Sequence, residues 1–107
     1  MNANPHAEKC DELLQLLCHR HRRQILRFLD TQPTNTATVD ELVEHVDSQS
    51  GETSLSTEMH HVHLPKLADS GLIEWDSRSE TVRYYPEPLC QDMLRTLRSH
   101  NAQSTSV

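Results

Sequence analysis

The stretch HLPKLADSGLIEWDSRSETVRYYPEP, from His63 to Pro88, constrains the fold of this chain more than any other. A helical repeat runs into Gly71, a residue suited to the left-handed position just past a helix end. Two short β-like runs follow, LIEW and TVRYY, joined by the polar turn DSRSE. They read as a hairpin that offers Ile73, Trp75, Val82 and Tyr84 to one face.

Everything else reads as helix. From Asp11 the apolar residues Leu13, Leu14 and Leu17, then Ile25, Leu26 and Leu29, recur in helical phase. The polar break CHRH between the two clusters leaves open two helices or one bent helix. The loop TQPTNTAT ends in Thr38, and Thr38-Val39-Asp40-Glu41 fits a capping box that starts the helix VDELVEHV. A turn around Gly51 leads to a helix expected over 54–70. Beyond Pro86 and Pro88, LCQDMLRTLRS resumes a helical repeat. The expected organisation is a flexible N-terminus over 1–10, one domain over 11–98 and a disordered tail over 99–107. The order of helices, hairpin wing and closing helix is that of a mainly α winged helix-turn-helix with an additional C-terminal helix.

With these elements in place, HLPKLADSGLIEW…TVRYY resembles the corresponding segment of ArsR-like winged-helix repressors, through His63, Leu64, Leu67, Gly71, Leu72 and Ile73. LLCHRHRRQILRFL resembles that family's second helix, with Arg23, Ile25, Leu26 and Leu29 in the expected places. The likeness covers roughly residues 11–98 and is nearest to small winged-helix domains of haloarchaea. It implies a DNA-binding transcriptional regulator, and the sequence, with no apolar run of membrane-spanning length and no signal-peptide pattern, leads to the expectation of a cytoplasmic protein. Two departures limit it. Neither the paired cysteines nor the Asp and His ligands of metal-sensing relatives are present, so no metal or other cofactor is expected. Pro65 also falls inside the expected recognition helix, where it removes the amide that would bond the His61 carbonyl and should kink the helix.

Charge argues the other way at first sight. Sixteen acidic residues against ten basic ones give a net charge of −6, whereas a DNA binder usually carries a basic patch. An acidic chain with two lysines and one phenylalanine resembles the proteins of salt-adapted microbes, in which net charge says little against DNA binding. Arg20, Arg22, Arg23 and Arg27 form the one concentrated basic run. They are expected either to contact phosphate or to pair with carboxylates.

On a helical wheel, Ser54, Thr57 and His61 lie away from the apolar arcs and are the expected DNA-facing groups. Glu58 and His60 join them as candidates, Glu58 as an acceptor for a cytosine amine. Arg78, at the tip of the hairpin, is expected at an adjacent minor groove. Leu55, Met59 and Val62 define one apolar phase, while Leu64 and Leu67 define another that includes His60. The sequence leaves open whether His60 and His63 are buried. These two supply at most two metal ligands, and a closed zinc site needs four. The others would have to come from Cys10, Cys18, Cys90 or His45.

Leu89, Cys90, Met93, Leu94 and Leu97 give the last helix an apolar stripe, and the resemblance to ArsR-like proteins implies that it forms a homodimer that sets two reading heads one DNA turn apart. Packing of that helix on its own domain is the alternative. An enzyme is not expected: nucleophile elbow, P-loop and HExxH are missing, and two glycines leave little material for a phosphate cradle. No apolar run suits a membrane span or a signal peptide, and no small-molecule effector is identifiable. The competing function is a winged-helix module that binds protein instead of DNA.

Overall fold

The structure is a computed structural model that describes residues 5–50 and 55–104. Helices α1 (Pro5–Leu17) and α2 (Arg20–Thr31) are separate, divided at the CHRH break. A 3₁₀ turn at Pro33–Asn35 leads into strand β1 (Thr36–Thr38), and α3 spans Val39–Ser50. The next helical segment has three parts: α4 (Leu55–Glu58), a π turn (Met59–His63) and α5 (Leu64–Asp69). Strands β2 (Ile73–Asp76) and β3 (Thr81–Tyr84) form the hairpin, and α6 runs over Pro88–Ser104. This is a winged-helix-like fold with an added C-terminal helix, as the order of elements predicts. No described helix is long and apolar enough to cross a membrane.

Several local expectations hold in detail. The Thr38 amide donates to the Glu41 carboxylate at 2.8 Å, and the Glu41 amide donates to the Thr38 hydroxyl at 3.1 Å, completing the capping box. Gly71 has φ of +85°, the left-handed backbone required just past α5. The hairpin register pairs Ile73 with Tyr84 and Trp75 with Val82. Ile73, Val82 and Tyr84 are buried and Trp75 half-buried, so the expected face packs inward.

Other features differ. The TQPTNTAT loop contains β1, which pairs antiparallel with β3 and makes the sheet three-stranded, in the order β1-β3-β2. Three residues of TAT carry little strand signal of their own, and their hydrogen bonds come from a distant partner. Helix α1 begins at Pro5, so the expected flexible N-terminus is helical from there, and α6 continues to Ser104 through most of the expected tail. In α1, Leu16 is buried with Leu13 and Leu17 while Leu14 stays 56% exposed. The turn around Gly51 lies outside the described residues.

One core joins all layers. Leu13 and Leu17 of α1, Ile25, Leu26 and Leu29 of α2, and Leu42 and Val46 of α3 share it with Met59, Leu64 and Leu67 and with Ile73, Val82 and Tyr84 of the sheet. Cys90 and Leu94 of α6 belong to the same core. The two apolar phases of the segment over 55–69 are reconciled by the π turn. Its wider coil unwinds the chain, so that Met59, His63, Leu64 and Leu67 are all buried and Val62 is left at 37% exposure. Pro65 therefore does not simply kink an α-helix. The adjustment lies ahead of it, where the Leu64 amide bonds the Met59 carbonyl five residues back.

Candidate nucleic-acid interface and the histidine cluster behind it

The segment over 55–69 presents two faces. Outward, Thr57, His61, Val62 and Lys66 are exposed, in the position between α3 and the wing. Arg78 is exposed in the wing turn, where its amide donates to the Asp76 carboxylate at 3.0 Å and shapes the turn. Ser54 lies outside the described residues. Thr57, His61 and Arg78 are thus all exposed.

Two other candidates are occupied within the fold. His60 Nε2 donates to Glu80 Oε1 at 2.8 Å, and its ring lies edge-on to Trp75 with centroids 5.9 Å apart. Trp75 Nε1 donates to the other Glu80 oxygen at 3.3 Å. These bonds tie the segment to the wing through one carboxylate, and the bond from His60 holds the Glu80 carboxyl below its ordinary range. Glu80 adopts φ of +55°, an unfavourable conformation for a residue with a β-carbon, while its carbonyl accepts the Val39 amide at 2.9 Å. Glu58, expected to meet a cytosine, turns inward, where the buried imidazoles of His21 and His63 offer nearby partners. Its Oε1 lies 3.4 Å from His63 Nε2 and 3.9 Å from His21 Nδ1.

These contacts belong to a cluster that wheel reasoning misses. His19, His21, Glu58 and His63 each offer a ligand atom, and these atoms all lie within 4.8 Å of one another. His19 is the N-cap of α2, accepting the His21 amide at Nδ1 over 3.2 Å, a position where Ser, Asp or Asn is usual. His21 sits in the first turn of that helix. The π turn brings Glu58 and His63 together, because residues five apart in an α-helix point about 140° away from each other. Arg22 Nε donates to His63 Nδ1 at 3.3 Å. Burial, together with the neighbouring His19 and Arg22, depresses the His63 pKa to about 4 against the pull of Glu58. Burial and Arg22 lower that of His19 as well. The sequence signal was present in the pairing of HRH with a Glu and a His five apart, but only a π turn makes that spacing useful.

Among the described residues, the side chains of the basic run over 20–27 mostly reach main-chain carbonyls. Arg22 Nη1 and Arg23 Nη1 reach the Leu16 and Leu17 carbonyls at 3.5 and 2.7 Å, covering the C-terminus of α1. Arg27 Nη2 donates to the Leu94 carbonyl of α6 at 3.0 Å. Arg20 remains exposed.

On α6 the expected dimer stripe divides. Cys90 and Leu94 are buried in this chain's own core, because this face of the helix is what closes the domain, and they are unavailable to a partner. Burial raises the pKa of the Cys90 thiol. Leu89, Met93 and Leu97 are half-buried, and the latter two line an apolar groove with Leu14 and Leu17 of α1.

Neither a curated protein nor a solved structure matches this chain. Residues 14–83, from the exposed Leu14 through most of β3, match the family described as a domain of unknown function (DUF7344), and the chain belongs to that family.

Proposed function

We propose that the chain is a DNA-binding transcriptional regulator of ArsR-like outline, cytoplasmic and homodimeric, with double-stranded DNA as its partner. The observation that carries this reading is the exposure of Thr57 and His61 on the segment between α3 and the wing, where a winged helix-turn-helix presents its reading head. That segment, over 54–70, enters the major groove. The wing, over 72–85, brings Arg78 to the adjacent minor groove, whose negative potential favours arginine. Lys66 adds a phosphate contact. The groove between Leu14 and Leu17 of α1 and Met93 and Leu97 of α6 supports a two-fold contact through these helices. Such symmetry sets two heads about 34 Å apart.

The test is a fluorescence-anisotropy titration against the chain's own upstream DNA and a scrambled duplex, in molar potassium salt. A preference of at least tenfold for the upstream duplex supports the reading. No binding to either duplex at tens of micromolar by a folded dimer overturns it.

A second reading is a protein-binding module. The exposed acids Asp69, Glu74 and Asp76, close to the head and wing, favour it, since they repel phosphate. Affinity for DNA falls steeply with salt as counterions are released, whereas an apolar protein contact responds weakly. The salt slope of whichever complex forms separates the two.

A further inference from the structure

We propose that His19, His21, Glu58 and His63 form a binding site for a divalent transition metal of the zinc class, which fastens the start of α2 to the segment over 55–69. Three imidazoles and one carboxylate are a complete ligand set for a closed tetrahedral zinc site. Zinc bonds to nitrogen and carboxylate oxygen are near 2.0–2.1 Å, which places tetrahedral ligand atoms about 3.3 Å apart. The distances from Glu58 Oε1 to His63 Nε2 and His21 Nδ1, 3.4 and 3.9 Å, already approach this, and the whole set lies within 4.8 Å. Shortening the longest of these separations by up to about 1.5 Å completes the shell.

A second observation comes from His63. Its side chain is 1% exposed, and among the described residues its Nε2 has no hydrogen-bond partner of good geometry although it is directed at Glu58. Buried polar atoms are normally satisfied, and one left over in a ring of ligands marks a place for an ion. The π turn is a third: it is the local irregularity that puts Glu58 and His63 on one side, and such turns recur at functional sites.

Arg22 sets the condition for binding. A neutral imidazole carries one proton, and His63 Nδ1 accepts from Arg22 in the absence of metal. Ligation through Nε2 moves the ring proton to Nδ1, so Arg22 Nε must release the ring. The Leu16 carbonyl, 3.5 Å from Arg22 Nη1, is the acceptor at hand. Metal binding thus exchanges an arginine contact for a metal contact at the inner side of the reading segment.

The assignment stands apart from the DNA reading, since its test uses no nucleic acid. Full-length protein stripped with a chelator is titrated with zinc against a chromophoric competitor in potassium chloride, and with Co(II) by visible absorption. One ion per chain is expected, with tetrahedral Co(II) absorption lacking a thiolate charge-transfer band. At a hundredfold excess over Kd, zinc should raise Tm by about 10 °C. Glu58→Gln and His19→Gln, both at half-buried positions that tolerate an amide, should each weaken zinc at least tenfold with unchanged circular dichroism, and Cys18→Ser should not. No binding at tens of micromolar zinc overturns the proposal. So does a wild-type affinity in both amide variants, or a thiolate band that disappears with Cys18.

Discussion

Helix α3 and the segment over 55–69 are neighbours in one helix-turn-helix, yet they are built by opposite means. α3 is regular from its start: Thr38 and Glu41 cap it locally, and Val39, Leu42 and Val46 bury one stripe at helical spacing. The neighbouring segment breaks its own helix with a π turn, buries a histidine and ties its side chains to α2 and to the wing. A helix that only supports can satisfy its rules locally. A segment whose inner face meets polar groups of two other elements cannot, and its irregularity marks where those interactions differ.

This contrast can be tested from both sides. The largest effect is expected on the regular element. Leu42→Ala, at a fully buried position, should cost about 2–5 kcal/mol in urea denaturation. A loss below 1 kcal/mol would mean that α3 is not the support described.

Next comes the irregular segment. His63 titrates near 4 in the folded protein and near 6.5 when unfolded, so the unfolded chain binds the proton first as pH falls. Stability in the presence of chelator should therefore be intact above about pH 6.5 and decline toward pH 4. The slope contributed by this one proton approaches about 1.4 kcal/mol per pH unit. His63→Leu should remove that contribution. An unchanged pH profile in this variant would show that the ring is not held neutral by burial.

What was legible in the sequence follows the same division. The capping box, the Gly71 stop and the Ile73, Val82 and Tyr84 face were readable because each depends on residues close in sequence. Strand β1 was not, since Thr36, Ala37 and Thr38 become a strand only against Arg83, Val82 and Thr81. The histidine cluster was hidden for a geometric reason. A wheel of constant pitch separates Glu58 from His63, and nothing local in HRH indicates which distant side chains will face it. The same wheel placed outward both Thr57, ahead of the π turn, and His61, within it, and both are exposed.

Smaller effects sharpen the comparison. Thr38→Ala should cost about 1 kcal/mol by removing the acceptor for the Glu41 amide, read as a drop in Tm of several degrees. Thr57→Ala with His61→Ala should change stability by about 0.5 kcal/mol or less, because both side chains are exposed. A larger loss would assign these two a structural role.

The most direct measurement of the two-faced account uses that same double variant in two titrations, on the upstream duplex by anisotropy and with zinc by chelator competition. The account predicts that preference for the upstream duplex falls at least tenfold while zinc affinity and fold stay as in the wild type. Undiminished preference for the upstream duplex would contradict the assignment of the outward face to DNA.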